Sequence, residues 1–172
     1  ELPAQERVEQ LRALYEELEG FFGKDRLFFD VENVDYGDRF AEVIDQNIGR
    51  CEVVVCVIGP QWLTLPGADG VPRIQSANDY VRREIAAALR LRKRLIPVLV
   101  GGAATPQRSA LPADIGALCD NNILTLSDRQ LGAGNDELVQ AIRRRRSTRE
   151  LIGWMRRRLA HGLGLLAALT MF

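Results

Sequence analysis

Two runs of the chain contain almost no polar residues and are rich in β-branched ones. Residues 53–58 read Val-Val-Val-Cys-Val-Ile, and residues 95–100 read Leu-Ile-Pro-Val-Leu-Val. A strand with one face in water alternates apolar and polar side chains, whereas runs without alternation are typical of parallel strands covered on both faces. The sequence therefore predicts a parallel sheet with helices packed on both of its faces.

Helical patterns alternate with these strands along the chain. Apolar residues recur every three or four positions in four segments, which indicates amphipathic helices. Strands that alternate with helices favour an α/β fold with a parallel sheet. The predicted helices lie within residues 8–18, 40–48, 77–89 and 136–146, and two weaker strands are predicted at residues 27–29 and 122–126.

Composition excludes several classes of function. The 172 residues carry 23 basic and 23 acidic side chains, a formal net charge of +0, which argues against a nucleic-acid-binding protein. Three cysteines (Cys51, Cys56 and Cys119) form no CxxC pair, and they fit reduced thiols in a cytoplasmic protein. His161 is the only histidine, so a zinc site is not expected.

An acidic segment follows the weak strand at residues 27–29. Its carboxylates at Asp30, Glu32, Asp35 and Asp38 invite comparison with a calcium-binding loop. Counting from Asp30, however, the sixth position is Asp35 where a calcium loop needs Gly, and the twelfth is Ala41 where it needs Glu. We therefore expect no metal ion here.

Glu84 is the acidic residue that we expect to carry chemistry. Ser76 and Asp79 read as a capping box, which predicts a helix beginning near Ala77. Glu84 then falls in the second turn, at the border of the apolar stripe, although most helix glutamates are simply solvated. In parallel sheets, ligands bind outside the carboxyl ends of the strands. The acidic loop, the loop that holds Trp62 and the start of this helix all emerge there.

The order of these parts resembles a TIR (Toll/interleukin receptor) domain of the bacterial type, over roughly residues 5–146. The resemblance implies a flavodoxin-like α/β fold, a three-layer sandwich with a mostly parallel sheet. Its most specific parts are residues 28–38, residues 55–62 with Gly59-Pro60 and Trp62, residues 80–84, and residues 95–100.

The resemblance also implies an activity. Enzymatic members of the family cleave NAD+ between nicotinamide and ribose, with the catalytic glutamate in a Trp-Cys-x-x-Glu segment; residues 80–84 read Tyr-Val-Arg-Arg-Glu. Glu84 is thus the expected catalytic residue of an NAD+ glycohydrolase, which uses NAD+ as a substrate and needs no cofactor. Tyr80, Trp62, Phe29 and Asp30 are the expected substrate-binding residues, although core packing is an equally good interpretation of Trp62.

Two other functions stay open. The first is a non-catalytic TIR adaptor that acts by self-association with other TIR domains. Its expected interaction loop is Asp35, Tyr36, Gly37 and Asp38, where Tyr36 replaces the proline usual in the family. The second is an enzyme similar to a nucleoside deoxyribosyltransferase, which shares the layout and also places a carboxylate near a sugar.

The two ends of the chain depart from the family pattern. Family members begin with a central strand, and we find no candidate strand before Val8, so we expect that strand to be missing and its neighbours to have unpaired edges. We assign residues 1–147 to the TIR-like domain and residues 148–172 to an apolar tail. Residues 162–172 are uncharged but fewer than the roughly 20 that span a bilayer.

The tail has two interpretations. Trp154 and the arginines at 156–158 are typical of the cytoplasmic border of a membrane, so residues 162–172 are either the beginning of a transmembrane helix or a short helix packed on the domain. On the first interpretation, the cytoplasmic domain is attached to the inner face of the membrane.

Overall fold

A parallel sheet organises the protein. The computed structural model describes residues 4–27, 40–127, 136–144 and 169–171. Within these residues the sheet has four strands, all parallel, in the order β3-β2-β1-β4. The strands are β1 (Val53–Ile58), β2 (Arg94–Leu99), β3 (Leu124–Thr125) and β4 (Leu169–Met171).

Helices connect and cover these strands. The α-helices are α1 (Ala4–Phe22), α2 (Phe40–Arg50), α3 (Tyr80–Arg90) and α4 (Asp136–Arg143). Short 3-10 turns lie at Lys24–Arg26, Arg73–Gln75, Arg108–Ala110 and Gly116–Asp120.

Strand β1 has a core on each of its faces. All six of its residues are at most 4% exposed. Val54, Cys56 and Ile58 belong to a cluster with residues of α2 and α3, whereas Val53, Val55 and Val57 belong to a second cluster with residues of α1 and α4. Since successive side chains of a strand point to opposite faces, the two helix pairs cover opposite faces of the sheet. The predicted three-layer, flavodoxin-like α/β fold is confirmed.

The start of α3 differs from the prediction. The helix begins at Tyr80 and not near Ala77, because Asp79 is its N-cap: Asp79 Oδ1 accepts a hydrogen bond from the backbone N–H of Arg82 at 3.0 Å. Ser76 Oγ instead accepts a hydrogen bond from the backbone N–H of Asn78 at 3.2 Å, within the preceding turn. The predicted capping box is therefore wrong, but Glu84 still lies in the second turn of α3.

Basic side chains at the start of β2 hold the ends of two helices. The guanidinium group of Arg94 donates hydrogen bonds to the carbonyl oxygens of Ala141, Ile142 (3.0 Å) and Arg144 (2.7 Å), at the end of α4. Lys93 Nζ donates to the carbonyl oxygen of Gly49 at 2.5 Å, near the end of α2. Cations are favoured at helix C-termini, where carbonyl groups lack partners within the helix. These contacts fix α4 and α2 against the sheet.

The tail contributes a strand. Where we expected β1 to have an unpaired edge, β4 lies beside it, with Val55, Cys56 and Val57 in register with Leu169, Thr170 and Met171. The rest of the tail, residues 145–168 and 172, lies outside the described residues, as do residues 28–39. Among the residues that the structure describes, no helix is long and apolar enough to cross a membrane. Residues 169–171 form a strand and are not part of a helix, so both helical interpretations of the tail are wrong for these three residues. The membrane tether stays a prediction.

Candidate functional site

The segment after β1 carries Trp62 into the core. A turn in which the backbone N–H of Trp62 donates to the carbonyl of Gly59 (3.1 Å) follows the strand directly. The indole is only 3% exposed and packs in the cluster formed with α2 and α3. Trp62 is thus packed in the core, and its assignment as a substrate-binding residue stays a prediction.

A small cleft lies next to this indole. It has a volume of about 10 Å³, room for about one water molecule, and among the described residues it is lined by Trp62, Leu65, Arg73, Ile74 and Asp79. Pockets that hold small-molecule ligands usually enclose about 300–1,000 Å³. The cleft is therefore too small for a dinucleotide, and Glu84 is not among the residues that line it.

Asp79 anchors the first turn of α3. Besides capping the helix, its carboxylate forms an ion pair with Arg73, with 3.3 Å between Asp79 Oδ2 and Arg73 Nε. Asp79 is 7% exposed, so this pair holds a nearly buried charge. A helix beginning near Ala77, as predicted from the sequence, would contain Asp79, so this role was not predicted. The available signal was an aspartate directly before the helical pattern, the position that N-caps favour.

Two arginines tie α3 to its surroundings. Arg82 Nε donates to both carboxylate oxygens of Asp114 at 3.1 Å, and a terminal nitrogen of Arg82 donates to the carbonyl of Gln75 at 2.6 Å. Arg83 donates to the carbonyl of Ala77 at 3.0 Å and to Asn78 Oδ1 at 2.7 Å. The residues just before Glu84 thus fix the start of its helix to the preceding loop and to the segment around Asp114.

Glu84 is buried in the helix that these contacts anchor. It is 4% exposed and lies beside Val81, Ile85 and Ala88, which are also buried. Its negative charge acts on Cys51: burial is the main cause that raises the pKa of the Cys51 thiol to about 12, the positive charge of Lys93 opposes the rise, and Glu84 adds to it. Glu84 therefore approaches the junction of α2 and β1.

The predicted site residues do not all come together. Tyr80 is half-buried and lies one turn before Glu84, on the same side of α3. Trp62 contributes to the separate cleft with Asp79. Phe29 and Asp30, together with the predicted interaction loop at residues 35–38, lie outside the described residues, so their assignments stay predictions.

The comparison with known families agrees with this architecture. A sequence profile of the TIR domain matches residues 4–139, most of the chain. The chain belongs to the TIR domain family. A search of curated proteins gave no match. The match to the TIR domain includes β1, β2, β3 and the whole of α3 with Glu84, and it ends within α4. Strand β4, at residues 169–171, lies beyond the part that matches the TIR domain.

Proposed function

We propose that this TIR domain is of the bacterial, NAD+-cleaving type and that Glu84 is its catalytic residue. The observation that carries the proposal is the burial of Glu84, 4% exposed, in the second turn of α3. Glutamate is rarely buried in proteins, because desolvation disfavours its charged form. An apolar position for this residue, in the segment that resembles the catalytic segment of enzymatic TIR domains, supports a chemical role over a solvated helix position.

The reaction needs only one carboxylate. As the bond between the ribose carbon and the nicotinamide nitrogen breaks, its electron pair leaves with nicotinamide, and positive charge develops on the ribose. A carboxylate against the sugar stabilises that charge, as in glycoside hydrolysis. Nicotinamide leaves neutral, so no general acid is required. Water then adds to the anomeric carbon and loses a proton to yield ADP-ribose, or a hydroxyl of the same molecule adds and loses its proton to yield a cyclic product.

Burial of Glu84 also implies a condition for activity. NAD+ can reach this carboxylate only when the side chains around α3 rearrange. TIR domains generally interact with other TIR domains, and we propose that self-association provides this rearrangement. Cys51 and Cys56 are buried and form no disulfide bond, which fits a reducing compartment, so we assign the activity to the cytoplasm.

The alternative is a TIR adaptor without catalysis. The small size of the cleft beside Trp62 favours it, because this cleft does not accommodate a dinucleotide. In an adaptor, Glu84 would shape the packing of α3 and take no part in chemistry.

Incubation of the intact, concentrated protein with NAD+ tests the proposal. We expect release of nicotinamide together with ADP-ribose or a cyclic derivative, quantified by chromatography and mass spectrometry. Undiminished NAD+ from protein that demonstrably self-associates would support the adaptor. Release of free bases from deoxynucleosides, with NAD+ intact, would point to an enzyme similar to a nucleoside deoxyribosyltransferase.

A further inference from the structure

The outer edge of β1 pairs with a segment that is distant in sequence. β4 runs parallel to β1 with three residue pairs in register: Val55 with Leu169, Cys56 with Thr170 and Val57 with Met171. This segment lies beyond residues 4–139, which match the TIR domain. Residues 145–168 connect it to α4. The pairing is therefore an addition to the domain by its own tail.

Strand β1 has physical reasons to accept such a segment. Its residues are at most 4% exposed, and its two faces are covered by separate core clusters. Backbone N–H and C=O groups at a strand edge need partners, and an apolar unpaired edge invites another strand. Residues 162–172 contain no charged side chain, so this part of the tail can enter an apolar edge without burying a charge.

We propose that the outer edge of β1 is a strand-accepting site and that Leu169–Met171 of the same copy is its detachable occupant. Because residues 145–168 join this strand to α4 in the same chain, the tail stays at a high effective concentration near its own β1. Pairing of three residues is shorter than the usual strand of about five or six. Release of β4 therefore requires less free energy than unfolding of the whole domain.

Parallel pairing gives this site a position relative to α3. The carboxyl ends of parallel strands meet at one edge of the sheet, so the chain leaves Met171 at the edge where the turn containing Gly59 and the start of α3 lie. Binding and release of the tail therefore change what lies beside the candidate site. The pairing itself does not depend on the proposed NAD+ cleavage.

A cysteine substitution tests the register. Neighbouring strands lie about 4.8 Å apart, and disulfides join cysteines whose Cα atoms are about 4.4–6.8 Å apart. In T170C, mild oxidation of dilute protein should link residue 170 to Cys56 within one chain, identified by peptide mapping. L169C is the matched control, because its register partner is Val55, and T170C combined with C56S should lose the link.

Three outcomes of this experiment would overturn the proposal. The first is residue 170 remaining a free thiol, and the second is residue 170 linking equally to Cys51 or Cys119. The third is a link from Cys56 to residue 170 that joins two chains at low concentration, because the occupant would then be the tail of a second copy.

Hydrogen exchange tests whether the strand detaches. Replacing both Thr170 and Met171 by proline removes whichever of these adjacent N–H groups donates to β1, since successive N–H groups point to opposite sides of a strand. Those amides among Val55–Val57 that point toward β4 should then exchange roughly tenfold faster or more, while replacement of both residues by alanine should change little. A peptide of residues 162–172 should restore protection to the proline variant, and a scrambled peptide should not. Unchanged exchange in the proline variant would contradict the proposal.

Discussion

Asp79, which is nearly buried, forms an ion pair with the partly exposed Arg73 at the start of the helix that carries Glu84. Asp79 Oδ2 lies 3.3 Å from Arg73 Nε, while Asp79 Oδ1 accepts the N-capping hydrogen bond from Arg82. The pair joins the 3-10 turn Arg73–Gln75 to α3. The position of the proposed catalytic carboxylate therefore depends on a second carboxylate, five residues earlier, whose role is structural.

Replacing Asp79 should separate its two roles. D79A loses both the cap and the partner of Arg73, so we expect it to lower the free energy of unfolding by about 1–3 kcal/mol. D79N keeps an oxygen that can accept the hydrogen bond from Arg82, so its loss should be smaller. Urea denaturation of both variants measures the difference. Wild-type stability in D79A would contradict the role assigned to this residue.

Arg94 should stabilise the end of α4. R94M removes the guanidinium group that donates to three carbonyl oxygens there, and we expect it to cost about 1–3 kcal/mol of stability. R90M is the matched control: it removes an exposed ion pair with Asp45, and such pairs contribute about 0–1 kcal/mol. Denaturation of the two variants under the same conditions makes the comparison. Equal losses of stability in the two variants would show that the contacts of Arg94 stabilise the fold no more than an exposed ion pair does.

Cys51 should make stability depend on alkaline pH. Burial raises the pKa of its thiol from 9.0 to about 12 in the folded protein. Between these values the unfolded chain loses the thiol proton while the folded protein keeps it, so the free energy of unfolding falls as pH rises. Below pH 9 the contribution is constant. C51A should show a weaker decline from pH 9 to 12 in the same denaturation series, and an identical decline would contradict a raised pKa.

Activity should depend on protein concentration. Because Glu84 is 4% exposed in a single chain, a site opened by self-association should release more nicotinamide per molecule as the protein is concentrated. Turnover per molecule, measured over a wide range of concentration alongside light scattering, checks this expectation. A constant turnover per molecule would mean that one chain opens its own site.

The strands were the most predictable part of the fold. Residues 53–58 carry no polar residue, and burial on both faces of the sheet is the physical reason, so β1 was predicted with its observed bounds. β3 was predicted as five residues but has two, since weak strand patterns do not fix the extent of backbone pairing.

The site was less predictable than the fold. Helical spacing placed Glu84 beside the core, and its burial agrees with that placement. From the sequence, ligand binding and core packing were equally good interpretations of Trp62. An indole that follows a strand suits either environment, and only the tertiary arrangement distinguishes the two. The pairing of Leu169–Met171 with β1 depends on contacts between residues more than a hundred positions apart, which no local pattern encodes.

Turnover of NAD+ by E84Q measures the central claim most directly. Glutamine keeps the size of the side chain but removes the charge proposed to stabilise the ribosyl cation. The matched control is E137Q, the same change at an exposed position in the first turn of α4. With both variants shown to be folded and equally self-associated, E84Q should release nicotinamide on the order of a hundredfold more slowly than wild type, and E137Q should match wild type. Equal turnover by E84Q and wild type would contradict a catalytic role for Glu84.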